Sequence, residues 1–224
     1  MTANPKQIAA EKAVDDFVRD GMTVGLGTGS TAYYAIKRVG ELVRNGFKLT
    51  CVATSVQTER IAKECGITVV DLDDVEHIDV TIDGADEVDP KMQLIKGLGG
   101  ALLREKIVAS ASRAEVIVVD DSKLVERLGT RSPLPVEVLR FGHKRTKAAL
   151  ERQGCVATLR VRDGAPFVTD SGNYIYDCRF DGIDNPFFLE SRINVIPGAV
   201  DNGLFLNTAT AVVIAMVDGT VRMM

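Results

Sequence analysis

The chain reads as an α/β protein, an open parallel sheet with helices on both faces and a smaller α+β module inserted before the last strands. Three observations carry this. Through residue 128, strand-length apolar runs alternate with segments of helical spacing, as parallel βαβ units require. Beyond residue 128 the texture changes to short strands separated by hairpin turns. From residue 204 apolar strand sequence returns, so residues 1–128 and 204–224 are expected to form the sheet domain and 129–203 the smaller one.

The elements follow from local signals. Asn4 before Pro5 reads as an N-cap with proline at the first helical position, and Ala10, Val14, Phe17 and Val18 then recur at helical spacing until Gly21. Strand "MTVGL" (22–26) runs into "GLGTGST" (25–31), and "AYYAIKRVGELVRNG" (32–46) is helical up to Gly46. Strand "LTCVATS", helix "VQTERIAKECG" and strands "ITVVDL" and "HIDVTIDG" come next, followed by helix "GALLREKIVASAS" and strand "EVIVVDD". In the smaller module, "SPLPVEVL" precedes helix "KRTKAALERQG", strand "CVATLRVRDG" and the stretch "VTDSGNYIYDCRF", with turns at Asp163-Gly164 and Ser171-Gly172. The tail is expected to add two apolar strands around Asp218-Gly219 to the first sheet.

Composition removes several functions. With 46% hydrophobic and 26% charged residues, the 224-residue chain has the make-up of a soluble protein with a sizeable core. A net charge of -4 argues against nucleic-acid binding, and no apolar run approaches a bilayer span. The N-terminal sequence lacks a secretory or transit pattern, so a cytoplasmic location is expected. Cys51, Cys65, Cys155 and Cys178 are scattered without a C-x-x-C, as reduced, mostly buried thiols would be, and the two histidines, His77 and His143, are too few for a histidine-rich metal site or a Ser-His-Asp triad.

Three strand ends carry candidate chemistry. In "GLGTGST", glycines between a strand and a helix let backbone N–H groups approach a phosphate, and Thr28, Ser30 and Thr31 add hydroxyls; a capped turn of purely structural purpose suits the motif equally. It is not a dinucleotide fingerprint: the sixth position is Ser30, and the next strand ends in Thr54-Ser55 without the acidic residue that holds a ribose. In "DGADEVD" (83–89), Asp83, Asp86, Glu87 and Asp89 have the wrong spacing for a calcium loop. Strand alternation delivers Asp83 to the carboxyl end of a strand, where ligands of open sheets bind, so Asp83 and Asp86 are expected inward and Glu87 and Asp89 toward water. In "IKGLGGALLREK" (95–106), Lys96 precedes a glycine turn and Glu105 lies about a turn and a half into the following helix, a pairing suited to an oxyanion stabiliser and a general base. Lys123 in "DDSK" is available as a phosphate cation.

Together "GTGST" (27–31), "DGADE" (83–87), "KGLGGALLREK" (96–106), "DDSK" (120–123), "PLPVEV" (133–138) and "NVIPG" (194–198) resemble, in order along nearly the whole chain, the A-type ribose-5-phosphate isomerases. The resemblance implies a Rossmann-like sheet domain with an inserted α+β domain, and a cofactor-free interconversion of ribose 5-phosphate and ribulose 5-phosphate in the non-oxidative pentose phosphate pathway. It implies Glu105 as the base moving a proton between C2 and C1, Lys96 as the oxyanion stabiliser, and Asp83 and Asp86 as handlers of hydroxyl protons and ring opening. Thr28, Gly29, Ser30, Thr31 and Lys123 would line the sugar-phosphate site, with Gly84, Ala85, Gly97, Leu98 and Gly99 contributing backbone. No metal is implied, and a homodimer or dimer of dimers is. Leu98 departs from the three consecutive glycines of many members, and either Lys6 or Lys12 could supply an N-terminal phosphate lysine. The alternatives are a non-catalytic sugar-phosphate sensor, disfavoured by the presence of Glu105; a nicotinamide enzyme, disfavoured by the loop spacing; and a metal-dependent isomerase using the acidic cluster.

Overall fold

The computed structural model describes residues 4–224. Helix α1 (Pro5–Phe17) starts as its sequence dictates, the Asn4 side chain accepting from Lys6 N at 3.1 Å with proline at the first position. It is followed by β1 (Thr23–Leu26), α2 (Ala32–Arg44), β2 (Thr50–Ala53), α3 (Val56–Glu64) and β3 (Val80–Gly84). Two short strands, β4 (Glu87–Val88) and β5 (Leu94–Ile95), precede α4 (Leu102–Ser110) and β6 (Glu115–Asp120). Next come β7 (Leu134–Val138), α5 (His143–Glu151), β8 (Val156–Leu159), β9 (Val161–Arg162), β10 (Ala165–Pro166) and β11 (Tyr174–Arg179). The chain closes with α6 (Pro186–Asn194), β12 (Ala199–Asn202), β13 (Leu204–Phe205), β14 (Ala211–Ala215) and β15 (Val221–Met223).

Its internal contacts divide the chain into two units. The first holds residues up to Ala85, Arg104–Lys123 and Asn207–Met224; the second holds Asp86–Leu103 and Leu124–Leu206.

In the first unit a six-stranded sheet runs β15-β14-β6-β3-β1-β2, parallel except for the β14–β15 pair. Its core joins Val24, Leu26, Ile82, Val116, Val118 and Val213 to Ala9, Ala10 and Ala13 of α1 and to Ile36 and Val39 of α2. The small alanine face of α1 is why that helix needs little hydrophobic bulk to pack on the strands. β3 is buried at four successive positions, Val80 to Asp83, because both faces of a parallel sheet are covered; alternation alone predicted burial for only every second residue. Strand order reverses at β1, which pairs with β2 on one side and β3 on the other, and such a switch point opens a crevice at the carboxyl ends of the strands.

The second unit contains an antiparallel sheet, β12-β7-β11-β8, a separate three-stranded sheet, β13-β5-β4, and the β9–β10 hairpin. Its core brings together Leu134, Val136 and Val138 of β7, Tyr176 and Cys178 of β11, and Leu189 and Ile193 of α6. All four cysteines of the chain are unpaired thiols and buried, and burial pushes the Cys51 thiol up to about 12.

Three sequence expectations are corrected. "ITVVDL" forms no strand beyond a single parallel bridge, Cys51 to Val69; the chain then turns into a 3-10 turn, Leu72–Asp74, which Asp71 caps. Helix α6 went unread, although Asn185-Pro186 repeats the signature that starts α1: the Asn185 side chain accepts from Phe188 N at 3.0 Å. Glu87 does not face water. It is fully buried, and its carboxylate accepts the backbone N–H groups of Gly129, Arg131 and Ser132 at 2.6, 2.7 and 2.5 Å. A loop more than 40 residues later supplies those donors, so nothing near Glu87 in sequence announces them.

Glu87 is therefore a structural anion. Replacing it with alanine removes the acceptor of three backbone N–H groups, that of Gly129 buried and those of Arg131 and Ser132 partly so, and Glu87→Ala is expected to lower the unfolding free energy in urea by about 3 kcal/mol. A solvated glutamate would give a change within about 0.5 kcal/mol.

Candidate active site

In the first unit the glycine turn and Asp83 meet at the switch point. The turn after β1 is built around a close approach. Gly27 N donates to Ile82 O at 3.0 Å, and a Cβ on Gly27 would stand 2.1 Å from Asp83 Oδ1 and 2.6 Å from Asp83 Cα. With no side chain in the way, Asp83 Oδ1 accepts from Thr28 N at 3.1 Å and from Gly84 N at 2.7 Å. Asp83 is 1% exposed, a carboxylate fixed at the end of β3 as the sequence predicted.

Thr28 points elsewhere. Its hydroxyl lies 2.8, 2.8 and 3.0 Å from those of Thr54, Ser55 and Thr58, while the Thr58 hydroxyl donates to Gly27 O at 2.8 Å. The Thr54-Ser55 end of β2, notable in the sequence for lacking an acidic residue, is thus a hydroxyl brace behind the glycine turn. Gly29 and Ser30 stay exposed ahead of α2, where Thr31 makes no side-chain cap; Tyr33 N donates to Gly29 O at 2.9 Å and Tyr34 N to Thr31 O at 3.0 Å, and the positive end of the helix dipole faces the Gly29-Ser30 turn.

Lys6 completes this corner. Its Nζ donates to Ser30 Oγ at 2.9 Å, and both residues line a cavity of 520 Å³ with Asn4, Gly29 and Tyr33. Lys12 is instead paired with Asp16 at 2.6 Å, so the two candidate lysines left open by the sequence are separated by geometry. Lys123 ends a 3-10 turn, Asp121–Lys123, directly after β6 and is half-buried. Glu105 sits in the first turn of α4 and is 4% exposed, which replaces the solvated face that an R-E-K triplet by itself suggests.

In the second unit Lys96 is 2% exposed, its Nζ 5.2 Å from the centre of the Phe205 ring and its backbone N bonded to Gly203 O at 2.9 Å. The following turn needs glycine at Gly97 (φ 103°) and Gly100 (φ 92°), where the backbone is left-handed. Leu98 lies between them in an ordinary conformation with its side chain in solvent, so the departure from three glycines leaves the turn intact. Leu98 N donates to Asp86 Oδ2 at 2.9 Å, and half-buried Asp86 is thereby tied to the glycine turn. Asp89, expected in water, is half-buried and caps its own turn through Lys91 N and Gln93 N, both at 2.8 Å.

In the first unit, an open parallel sheet with buried Asp83 at a strand end, buried Glu105 and a hydroxyl-bearing turn ahead of a helix N-terminus is the kind of site carried by α/β enzymes that act on small anionic substrates. The chain matches the family model for ribose 5-phosphate isomerase A (phosphoriboisomerase A) over residues 50–219. It is 47% identical over 217 residues to ribose-5-phosphate isomerase A of Bacillus mycoides, covering 96% of this chain and 97% of that one. Identity to the Gloeobacter violaceus protein of the same name is 53% over 211 residues, with 94% and 91% covered. Among solved structures, the ribose 5-phosphate isomerase of Plasmodium falciparum superposes with a TM-score of 0.95 at 42% identity, covering 98% of this chain and 97% of that one. A D-ribose-5-phosphate isomerase in complex with phospho-erythronic acid gives 0.93 at 41% identity, covering 98% and 96%. This chain belongs to the ribose 5-phosphate isomerase A family.

The Gly27–Asp83 contact is testable. Gly27→Ala is expected to push the Asp83 carboxylate aside and, if Asp83 takes part in the reaction, to lower kcat about 100-fold, the order of loss that follows from misplacing a reacting group by roughly 1 Å. Steady-state kinetics on the folded variant measures it, and activity within a few-fold of wild type would remove Asp83 from the chemistry.

Proposed function

We infer that this chain interconverts D-ribose 5-phosphate and D-ribulose 5-phosphate, the aldose-ketose isomerisation of its family within the pentose phosphate pathway. The observation that carries the assignment of roles is the burial of Glu105 in the first turn of α4. A carboxylate there is shielded from bulk water and near a helix N-terminus, which suits a base that must hold and release one proton at fixed geometry.

Once the sugar ring has opened, Glu105 takes the proton from C2 of the aldose. The electron pair left behind forms the C1–C2 double bond of an enediolate, and the former carbonyl oxygen takes the negative charge. Lys96 stabilises that oxyanion. Glu105 then returns its proton to C1 while the C2 hydroxyl proton passes to O1, so that the carbonyl forms at C2 and C1 ends as a hydroxymethyl group. Asp83 and Asp86 handle the hydroxyl protons and assist ring opening. A relative has been solved with phospho-erythronic acid, and the planar carboxylate of a sugar-acid phosphate resembles an enediolate in shape and charge, which supports the enediolate route.

Gly29, Ser30 and Thr31 receive the phosphate together with Lys6, and Thr28 braces the turn. Lys123 and the backbones of Gly84, Ala85, Gly97, Leu98 and Gly99 complete the substrate contacts. The protein works in the cytoplasm without a cofactor or metal, as a homodimer or dimer of dimers. Among the described residues, no helix is long and apolar enough to cross a membrane.

Two measurements test this. With EDTA present, wild-type protein is expected to convert D-ribose 5-phosphate, and Glu105→Gln to lose about 1,000-fold in kcat with substrate binding kept. No conversion by wild type would overturn the assignment, and inhibition by the chelator would replace it with metal-assisted chemistry. For the phosphate corner, Lys6→Met is expected to raise KM about tenfold or more with kcat nearly unchanged, the loss of one charge-assisted hydrogen bond. A fall in kcat at constant KM would place Lys6 in the chemical step instead.

A further inference from the structure

Arg160, between β8 and β9, is nearly buried, its side chain 10% exposed. Its own backbone is pinned on both sides, Arg160 N donating to Ile175 O and Phe167 N to Arg160 O, each at 2.9 Å. The guanidinium grips the Asp177 carboxylate with two donors, Nε to Oδ2 at 3.0 Å and Nη2 to Oδ1. Its remaining arm reaches the glycine turn: Nη1 donates to Gly97 O at 2.9 Å and to Leu98 O at 3.1 Å.

These two carbonyls matter because of what lies at the other end of each peptide. In a planar trans peptide the C=O of one residue and the N–H of the next point in opposite directions. Fixing Gly97 O on Arg160 therefore turns the Leu98 N–H away from it, and that N–H is the one bonded to Asp86 Oδ2 at 2.9 Å. Fixing Leu98 O turns the Gly99 N–H away in the same manner. Phe167 backs the turn from the same segment: a Cβ on Gly100 would stand 2.4 Å from its ring, and the Arg160 guanidinium lies 5.9 Å from the ring centre.

We propose that Arg160, oriented by Asp177, is a positioning residue of the isomerase: it sets the two peptide planes of the Gly97–Gly99 turn so that Leu98 N–H holds the Asp86 carboxylate and Gly99 N–H is presented to substrate. This rests on the roles given above to Asp86 and the glycine turn. An arginine is required because only a planar fork binds a carboxylate with two donors while a third nitrogen donates to two carbonyls; a lysine is a point donor.

The test compares kcat, KM and thermal unfolding of the full chain for four variants: Arg160→Met, Arg160→Lys, Arg160→Met/Asp177→Asn and Asp86→Asn. Arg160→Met is expected to lower kcat about 100-fold with a smaller change in KM, and Arg160→Lys to recover only part of that loss. The double variant removes the carboxylate that the single change leaves without its cation, so it is expected to regain melting temperature but not kcat, and it decides the question if the single variant fails to fold. Recovery of kcat together with stability in the double variant, or a kcat for Arg160→Met within threefold of wild type, overturns the proposal. Asp86→Asn separates the two layers. If it is inactive while Arg160→Met is active, only the positioning role falls; if it keeps full activity, the role of Asp86 falls and takes the proposal with it.

Discussion

The Asp83 carboxylate accepts the Thr28 N–H across two neighbouring parallel strands, a bond that exists only because Gly27 has no side chain. That contact closes β1 on β3 at the point where strand order reverses, and the glycine turn with its hydroxyls is placed relative to it. The turn it shapes exposes Gly29 and Ser30 at the start of α2. The hydroxyl brace from Thr54, Ser55 and Thr58 holds the same turn from behind. A close-packed interior admits few solutions of this kind, so a single Cβ is enough to disturb several groups at once.

Negative charge is divided by purpose in the stretch from Asp83 to Asp89. Glu87 accepts three backbone N–H groups from the 129–132 loop, and Asp89 closes a local turn. Both are anions in the service of backbone that would otherwise be left without acceptors. Asp83 accepts from Thr28 N and Gly84 N, and Asp86 from Leu98 N, backbone donors that belong to glycine turns or the strand end itself. The difference lies in the elements that present the donors: an inserted loop for Glu87, and turns that border strand ends for the two aspartates.

Much of the architecture was legible because periodicity is a local property. The alternation of strands and helices, the Asn4-Pro5 start of α1 and the return of the tail to the first sheet all follow from patterns within a few residues. The misses have two causes. "ITVVDL" has strand composition but finds only one bridging partner, and a strand is defined by its partner. Asn185-Pro186 carries a helix signal inside a stretch dominated by turn residues, which mask it. Of the candidate residues, Asp83 and Lys96 are buried at the strand end and turn where the sequence placed them; Glu105 lies in the first turn of its helix rather than a turn and a half in, and the Thr28 hydroxyl faces the brace.

By itself the sequence determined the chemistry available: which strand ends carry carboxylates, which turns carry glycines, and which family pattern they spell out in order. Tertiary structure alone decided the use of each group, that Glu87 binds a loop rather than water, that Lys6 and not Lys12 reaches Ser30, and that Arg160 grips the turn after Lys96. The physical reason is separation along the chain. Arg160 lies more than 60 residues from the carbonyls it holds, and Lys6 lies 24 residues from Ser30; hydrogen bonds act over about 3 Å, so only the fold can bring such donors to their acceptors.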